Sequence, residues 1–249
     1  MDFLKISAVC YLNTFPFVYG LKESGLLKNF RLELDVPAIC AEKLKAHSVD
    51  ISLVPVGALT DFGHFHFISG YCIGAVRPVK TVLLLSKAPL EKITKIYLDP
   101  DSRTSVKLVR ILAKEYWDIN PGWVDLQPGQ VSAHTSLESV VAIGDKTFGL
   151  RSQFPYIYDL AEEWIRFTGL PFVFAVWISR DKLPSDVIRP FEDALAFGVD
   201  HKRECLDYFR DKLPPCDNCL DYLENNISFF MDERKKQGLE KFLTYASGQ

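Results

Sequence analysis

The sequence predicts an α/β protein of two lobes, and three observations predict it. Apolar runs alternate with amphipathic segments through the first 180 residues, as βα units around a mainly parallel sheet require. Two strand-like runs, Thr81–Ser86 and Phe172–Ile178, bracket a middle stretch that the chain enters once and leaves once. From Pro184 onward the pattern predicts helices only, over 185–211 and 219–245, separated by Leu213-Pro214-Pro215, because proline cannot continue a helix. The expected division is residues 1–86 with 176–249 as one lobe and 87–175 as the other, with a ligand cleft between them.

The elements follow in order. Strands are predicted at 5–9, 31–36, 51–54, 66–73, 81–86, 95–98, 140–143 and 172–178, where apolar and β-branched residues concentrate. Helices are predicted at 16–24, 39–47, 104–116 and 159–167; the third puts Ser105, Leu108, Leu112 and Tyr116 near one face. With 249 residues, 48% of them hydrophobic, the chain has enough apolar material for a sizeable core. A net charge of −3 draws the protein to neither nucleic acid nor anionic membrane, so any charge used on a ligand must be local. No apolar window is long enough to span a bilayer, and the first residues lack the pattern of a secretory leader. Cysteines at 10, 40, 72, 205, 216 and 219 read as reduced thiols, which with the missing leader predicts a cytoplasmic protein.

Several strand-to-helix turns could carry chemistry. Asp99-Pro100-Asp101-Ser102-Arg103-Thr104-Ser105 opens a helix, whose first turn offers unpaired N–H groups and the positive end of the dipole. Hydroxyls at Ser102, Thr104 and Ser105 add donors, so a carboxylate could be held there; Ser102 also suits a plain cap, and Arg103 could instead anchor the helix start through an ion pair. The loop Tyr11-Leu12-Asn13-Thr14 follows the first strand, on the side where open α/β sheets bind ligands, and Asn13 offers both donors and an acceptor. Asp50–Gly57, with Pro55 suited to a first helical position, supplies shape more than chemistry. Gly144 permits close backbone approach, and Asp145 beside it is a candidate base, an orienter of a donor, or a cap. Thr81 is the cleft-facing candidate of its segment, with Arg77 and Lys80 solvated. His201, Cys205, Cys216 and Cys219 have spacings that a zinc site could use, although Cys205 equally fits a buried helix face. The sequence has no Gly-x-Ser-x-Gly elbow, phosphate-binding loop, His-Glu-x-x-His helix or dinucleotide fingerprint.

Taken together, Val9–Thr14, Asp50–Pro55, Pro78–Leu84, Leu98–Ser105, Ala142–Asp145 and Asp159–Trp164 running on to Thr168–Ala175 resemble the chorismate dehydratases of the futalosine route to menaquinone. The stretches keep the family's order and span nearly the whole chain. The resemblance implies a periplasmic-binding-protein type II-like fold, with mixed sheets flanked by helices. It implies conversion of chorismate to 3-[(1-carboxyvinyl)oxy]benzoate without metal or other cofactor. For that chemistry the catalytic candidates are Asn13 and Asp145, with the proton taken either by Asp145 or by a carboxylate of the substrate itself, and Thr14, Pro55, Thr81, Ser102, Arg103, Thr104, Ser105 and Gly144 are the candidates to bind substrate. A sister enzyme, a dihydroxynaphthoate synthase, carries Cys-Pro-Asn-Asp where this chain has Tyr-Leu-Asn-Thr; a non-catalytic binder of a small carboxylate is a further alternative. Thr81 stands where many members carry Ser, Arg77 where a small residue is expected, and the Cys-rich tail lies outside the family pattern.

Overall fold

The computed structural model describes residues 3–127, 130 and 137–248. Two sheets organise them. The first has the order β11-β4-β10-β3-β1-β2, built from β1 (Leu4–Val9), β2 (Phe30–Asp35), β3 (Ile51–Pro55), β4 (His66–Ala75), β10 (Phe172–Ser179) and β11 (Ser228–Phe230). The second has the order β7-β6-β8-β5-β9, from β5 (Val82–Ser86), β6 (Lys95–Leu98), β7 (Gly122–Asp125), β8 (Ser139–Ile143) and β9 (Tyr156–Asp159). The helices are α1 (Phe15–Glu23), α2 (Pro37–Lys45), α3 (Arg103–Glu115), α4 (Lys146–Leu150), α5 (Leu160–Thr168), α6 (Ser185–Asp200), α7 (Lys202–Tyr208), α8 (Cys219–Asp221) and α9 (Glu233–Ser247). None of the described helices is long and apolar enough to cross a membrane.

The chain crosses from the first sheet to the second between Ala75 and Val82 and returns just before Phe172. The sheets divide the chain differently from expectation at both crossings. Residues 82–86 pair with β8 and β9 in the second sheet, and 172–175 lie in the first. The expectation of mainly parallel strands also needs correction. β1 runs parallel to β2 and β3, but β10 is antiparallel to both β3 and β4, and β5 antiparallel to β8 and β9. Strands buried on both faces read as continuous apolar runs whatever their direction, so hydropathy alone could not tell these apart. All five residues of β3 and all eight of β10 are buried.

Local chemistry sets the element ends. The Asp159 carboxylate accepts the N–H groups of Ala161 and Glu162 to cap α5, which stops at Gly169 in the left-handed region (φ 72°). Asp232 caps α9 through the Lys235 N–H at 2.8 Å. The tail is not purely helical. The expected helix over 185–211 breaks at His201, and beyond the double proline α8 runs into a π turn at Tyr222–Asn226 and then the edge strand β11.

α1 descends directly from the loop after β1, so whatever fixes α1 fixes that loop. It packs against α6 with the two backbones in contact at Gly20 and Gly198. A methyl group on Gly198 would overlap the Pro16 carbonyl oxygen, and one on Gly20 the Ala194 carbonyl oxygen. Gly198→Ala therefore has to push α1 outward, at about 1–3 kcal/mol. Calorimetry should register a fall in Tm of about 2–12 °C, at about 2–4 °C per kcal/mol for a chain of this size; an unchanged Tm would mean that the contact is slack.

Candidate active site

Loops at the carboxyl ends of β1, β3, β6 and β8 converge on one cleft, joined by the crossing segment before β5 and by β10. The cleft holds about 500 Å³ of atom-free space, its open mouth included. Its walls are apolar, from Val9, Pro37, Pro55, Ile73, Val82 and Phe174. Its polar lining is Tyr11, Asn13, Thr14, Thr81, Ser102, Thr104 and Ser105, with the backbone of Gly144 beside them.

The loop after β1 is clamped to the loop after β8 at two points. Both carboxylate oxygens of Asp145 accept the Leu12 N–H, at 3.1 Å each. Next to this, the Tyr11 ring lies flush on Gly144, where an added Cβ would come within 2.7 Å of the ring. Gly144 also sits at φ 69°, so only glycine satisfies both the backbone and the contact. Burial keeps the Tyr11 phenol protonated, with Asp101 and Asp99 adding to the effect. Asn13 follows in a tight turn, its Oδ1 accepting the Thr14 hydroxyl at 3.1 Å.

The second wall is the start of α3. Ser102 Oγ accepts the Ser105 N–H at 3.0 Å and donates to Ser105 Oγ at 2.8 Å, so it caps the helix while facing the cleft. Thr104 Oγ1 accepts the Gly57 N–H at 3.0 Å and donates to the Phe174 carbonyl at 3.2 Å, tying α3 to the first sheet. Among the described residues no acceptor reaches the Arg103 or Thr104 N–H. Below the helix, Asp99 is fully buried, held by Lys146 Nζ at 2.6 Å and by the N–H groups of Asp101 (3.1 Å) and Ile143 (3.3 Å). Burial pushes its carboxyl above the ordinary range against the pull of Lys146. The third wall is Thr81, fully buried, whose Oγ1 lies 2.7 Å from the Tyr222 hydroxyl.

Of the residues singled out from the sequence, Asn13, Thr14, Pro55, Thr81, Ser102, Thr104, Ser105 and Gly144 line the cleft. Two do not. Arg103 turns outward to Asp61 (2.6 Å) and Glu42 (3.2 Å), the ion-pair alternative. Asp145 accepts the Leu12 N–H with both oxygens and lines a separate pocket with Lys146, Gly149, Pro214 and Pro215, outside the lining of the cleft. Arg77 is exposed and off the lining. His201 Nδ1 lies 2.8 Å from the Phe197 carbonyl and Cys205 is fully buried; among the described residues no three His, Cys, Asp or Glu side chains gather as a metal site. Sequence reasoning missed Tyr11, Ile73, Phe174 and Tyr222. Tyr11 was legible as the neighbour of Asn13, whereas Tyr222 comes from a tail segment with no local signal.

This architecture, two mixed sheets with a cleft between them, is that of the periplasmic-binding-protein fold. A Candida albicans protein described as exhibiting that generic fold superposes with a TM-score of 0.65 at 15% identity, covering 100% of this chain and 91% of its own. A structural-genomics protein of Archaeoglobus fulgidus superposes with a TM-score of 0.76 at 13% identity, over 98% of this chain and 96% of that one. Residues 4–248 match the family described as menaquinone biosynthesis, and the chain belongs to that family. It is also 25% identical to the chorismate dehydratase of Thermus thermophilus, over 93% of this chain and 91% of that protein.

Burial raises the Asp145 carboxyl to about 6, partly offset by the Leu12 N–H. A raised carboxyl favours the protonated native state, so its penalty is absent below the unfolded value of 3.8, grows towards about 6 and is constant above. Wild type should therefore lose stability relative to Asp145→Asn, by about 3 kcal/mol, as pH rises through that window. Denaturant melts across the pH range check this; parallel curves would contradict the assignment.

Proposed function

We propose that this protein is a chorismate dehydratase, removing water from chorismate to give 3-[(1-carboxyvinyl)oxy]benzoate, and that it acts in the cytoplasm, where its free thiols stay reduced. Family membership and the Thermus thermophilus relative support the reading. The observation that carries it is the lining itself: neutral amide and hydroxyl groups on three walls around an apolar space, with Tyr11 the one ionisable side chain among the described residues that line it.

Chorismate is a dianion with an apolar ring edge, and the cleft suits it in parts. One carboxylate sits at the start of α3, where the helix dipole and the Ser102–Ser105 hydroxyl pair are available to it. Loss of the C3 proton sends negative charge through the diene towards the ring carboxylate. Donors fixed there beforehand stabilise the transition state more than the ground state. The C4 hydroxyl departs beside Asn13 and Thr81, and aromaticity is gained. With no carboxylate or imidazole among the described lining residues, the base is the substrate's own enolpyruvyl carboxylate. It takes the C3 proton and yields it to the departing oxygen, so that water leaves and the atoms balance. The two sheets serve as lobes that close over the ring and exclude solvent.

Incubating the purified protein with chorismate and following the aromatic product by absorbance and mass tests this directly. Turnover is expected for wild type, with kcat lowered by about 10²–10³ in Asn13→Ala. Asp145→Asn should retain activity to within about tenfold, whereas loss of a true general base costs up to about 10⁴. Binding without turnover, or turnover of a cyclic futalosine derivative instead, would overturn the proposal in favour of a solute binder or the sister synthase.

A further inference from the structure

Two histidines stand together far from the cleft. His66 opens β4, paired with Ser179 at the end of β10, whereas the cleft takes Ile73 from further along the same strand. At about 3.3 Å per residue, the strand puts roughly 20 Å between the two places. His64 is exposed and His66 half-buried.

The Nε2 atoms of the two rings lie 3.1 Å apart, with the ring planes at 89° and the ring centroids 4.6 Å apart. Each ring turns the same nitrogen on its neighbour. Phe65, between them, packs edge-on against Phe62 at 6.3 Å and Phe67 at 5.3 Å, and the ladder to β10 holds His66. The backbone that carries the pair therefore has little freedom. Two neutral imidazoles can meet in this way through one N–H···N bond, which requires the rings to be opposite tautomers.

The same separation fits two ligands of a single metal ion. Nitrogens about 2.0–2.1 Å from zinc stand roughly 3.3 Å apart at the tetrahedral angle and about 2.9 Å apart at a right angle. The observed 3.1 Å falls between those values. Perpendicular rings keep their C–H edges clear of each other, as adjacent coordination positions require. An ion arriving from solvent finds both nitrogens already converged, so the second bond costs little further ordering. Among the described residues no third His, Cys, Asp or Glu joins the pair, which leaves the remaining positions to water. Imidazole suits zinc, nickel and copper, whereas magnesium and calcium take oxygen ligands.

We propose that His64 and His66 form a two-imidazole site for a divalent transition-metal ion of the zinc class, bound through both Nε2 atoms and completed by water. The site is separate from the dehydratase cleft and takes no part in turnover.

The test is calorimetric titration of the purified full chain, stripped by a chelator, with Zn²⁺ and separately with Mg²⁺. One Zn²⁺ per chain should bind, and Mg²⁺ should not. His64→Gln and His66→Gln should each weaken Zn²⁺ binding by at least about tenfold, because one imidazole alone lacks the advantage of a linked pair. Both variants should keep the wild-type rate with chorismate. Ring ¹⁵N spectra of histidine-labelled protein give a second readout. The stripped protein should show the two rings as opposite tautomers, and saturation with Zn²⁺ should convert both to the form protonated at Nδ1. The inference is overturned by absence of Zn²⁺ binding, by binding that survives both histidine substitutions or is lost in Cys216→Ser instead, or by tautomers that stay opposite at saturation.

Discussion

The position of the loop after β1 depends on its clamp to the loop after β8, the acceptance of the Leu12 N–H by the Asp145 carboxylate, with the Tyr11 ring seated on Gly144 beside it. Loop ends of parallel strands are free to splay, and nothing in β1 or β8 alone would bring Asn13 opposite the start of α3. The clamp does this with a half-buried charge whose elevated pKa records the cost of its placement.

A second consequence concerns charge. The groups facing the cleft are neutral, while charges near it are neutralised locally: Asp99 and Asp101 by Lys146, and Arg103 by Asp61 and Glu42. An anion entering the cleft meets N–H dipoles and hydroxyls whose directions are already set by backbone and capping bonds. Preorganised dipoles in a dry site need little rearrangement when charge moves within the substrate. A mobile lysine or arginine would hold the substrate carboxylate equally well before and after proton loss, and so would aid binding more than rate.

Much of this was legible in the sequence, for physical reasons that differ by element. Loops after strands and the hydroxyl-rich start of α3 carry their own chemistry in consecutive residues, so Asn13, Thr81, Ser102 and Ser105 could be read directly as residues that line the cleft. Arg103 could not be placed, because which way a first-turn side chain points depends on Asp61 and Glu42, remote in the chain. Strand direction in β5 and β10 was equally hidden, since burial on both faces erases the alternation that would distinguish them. β7 and β11 span four and three residues, too few for any period to register. Tyr222 was beyond reach, as its partner Thr81 lies 141 residues away and its segment reads as ordinary tail helix.

The central claim is that an anionic ligand is gripped jointly by the start of α3 and the loop after β1. The most direct measurement is a titration of ¹⁵N-labelled protein with 3-[(1-carboxyvinyl)oxy]benzoate, following individual amide resonances. The account predicts saturable shifts concentrated at the Arg103, Thr104 and Ser105 backbone and at the Asn13 side chain. Shifts confined to other surfaces, or reaching only one of these two elements, would contradict it.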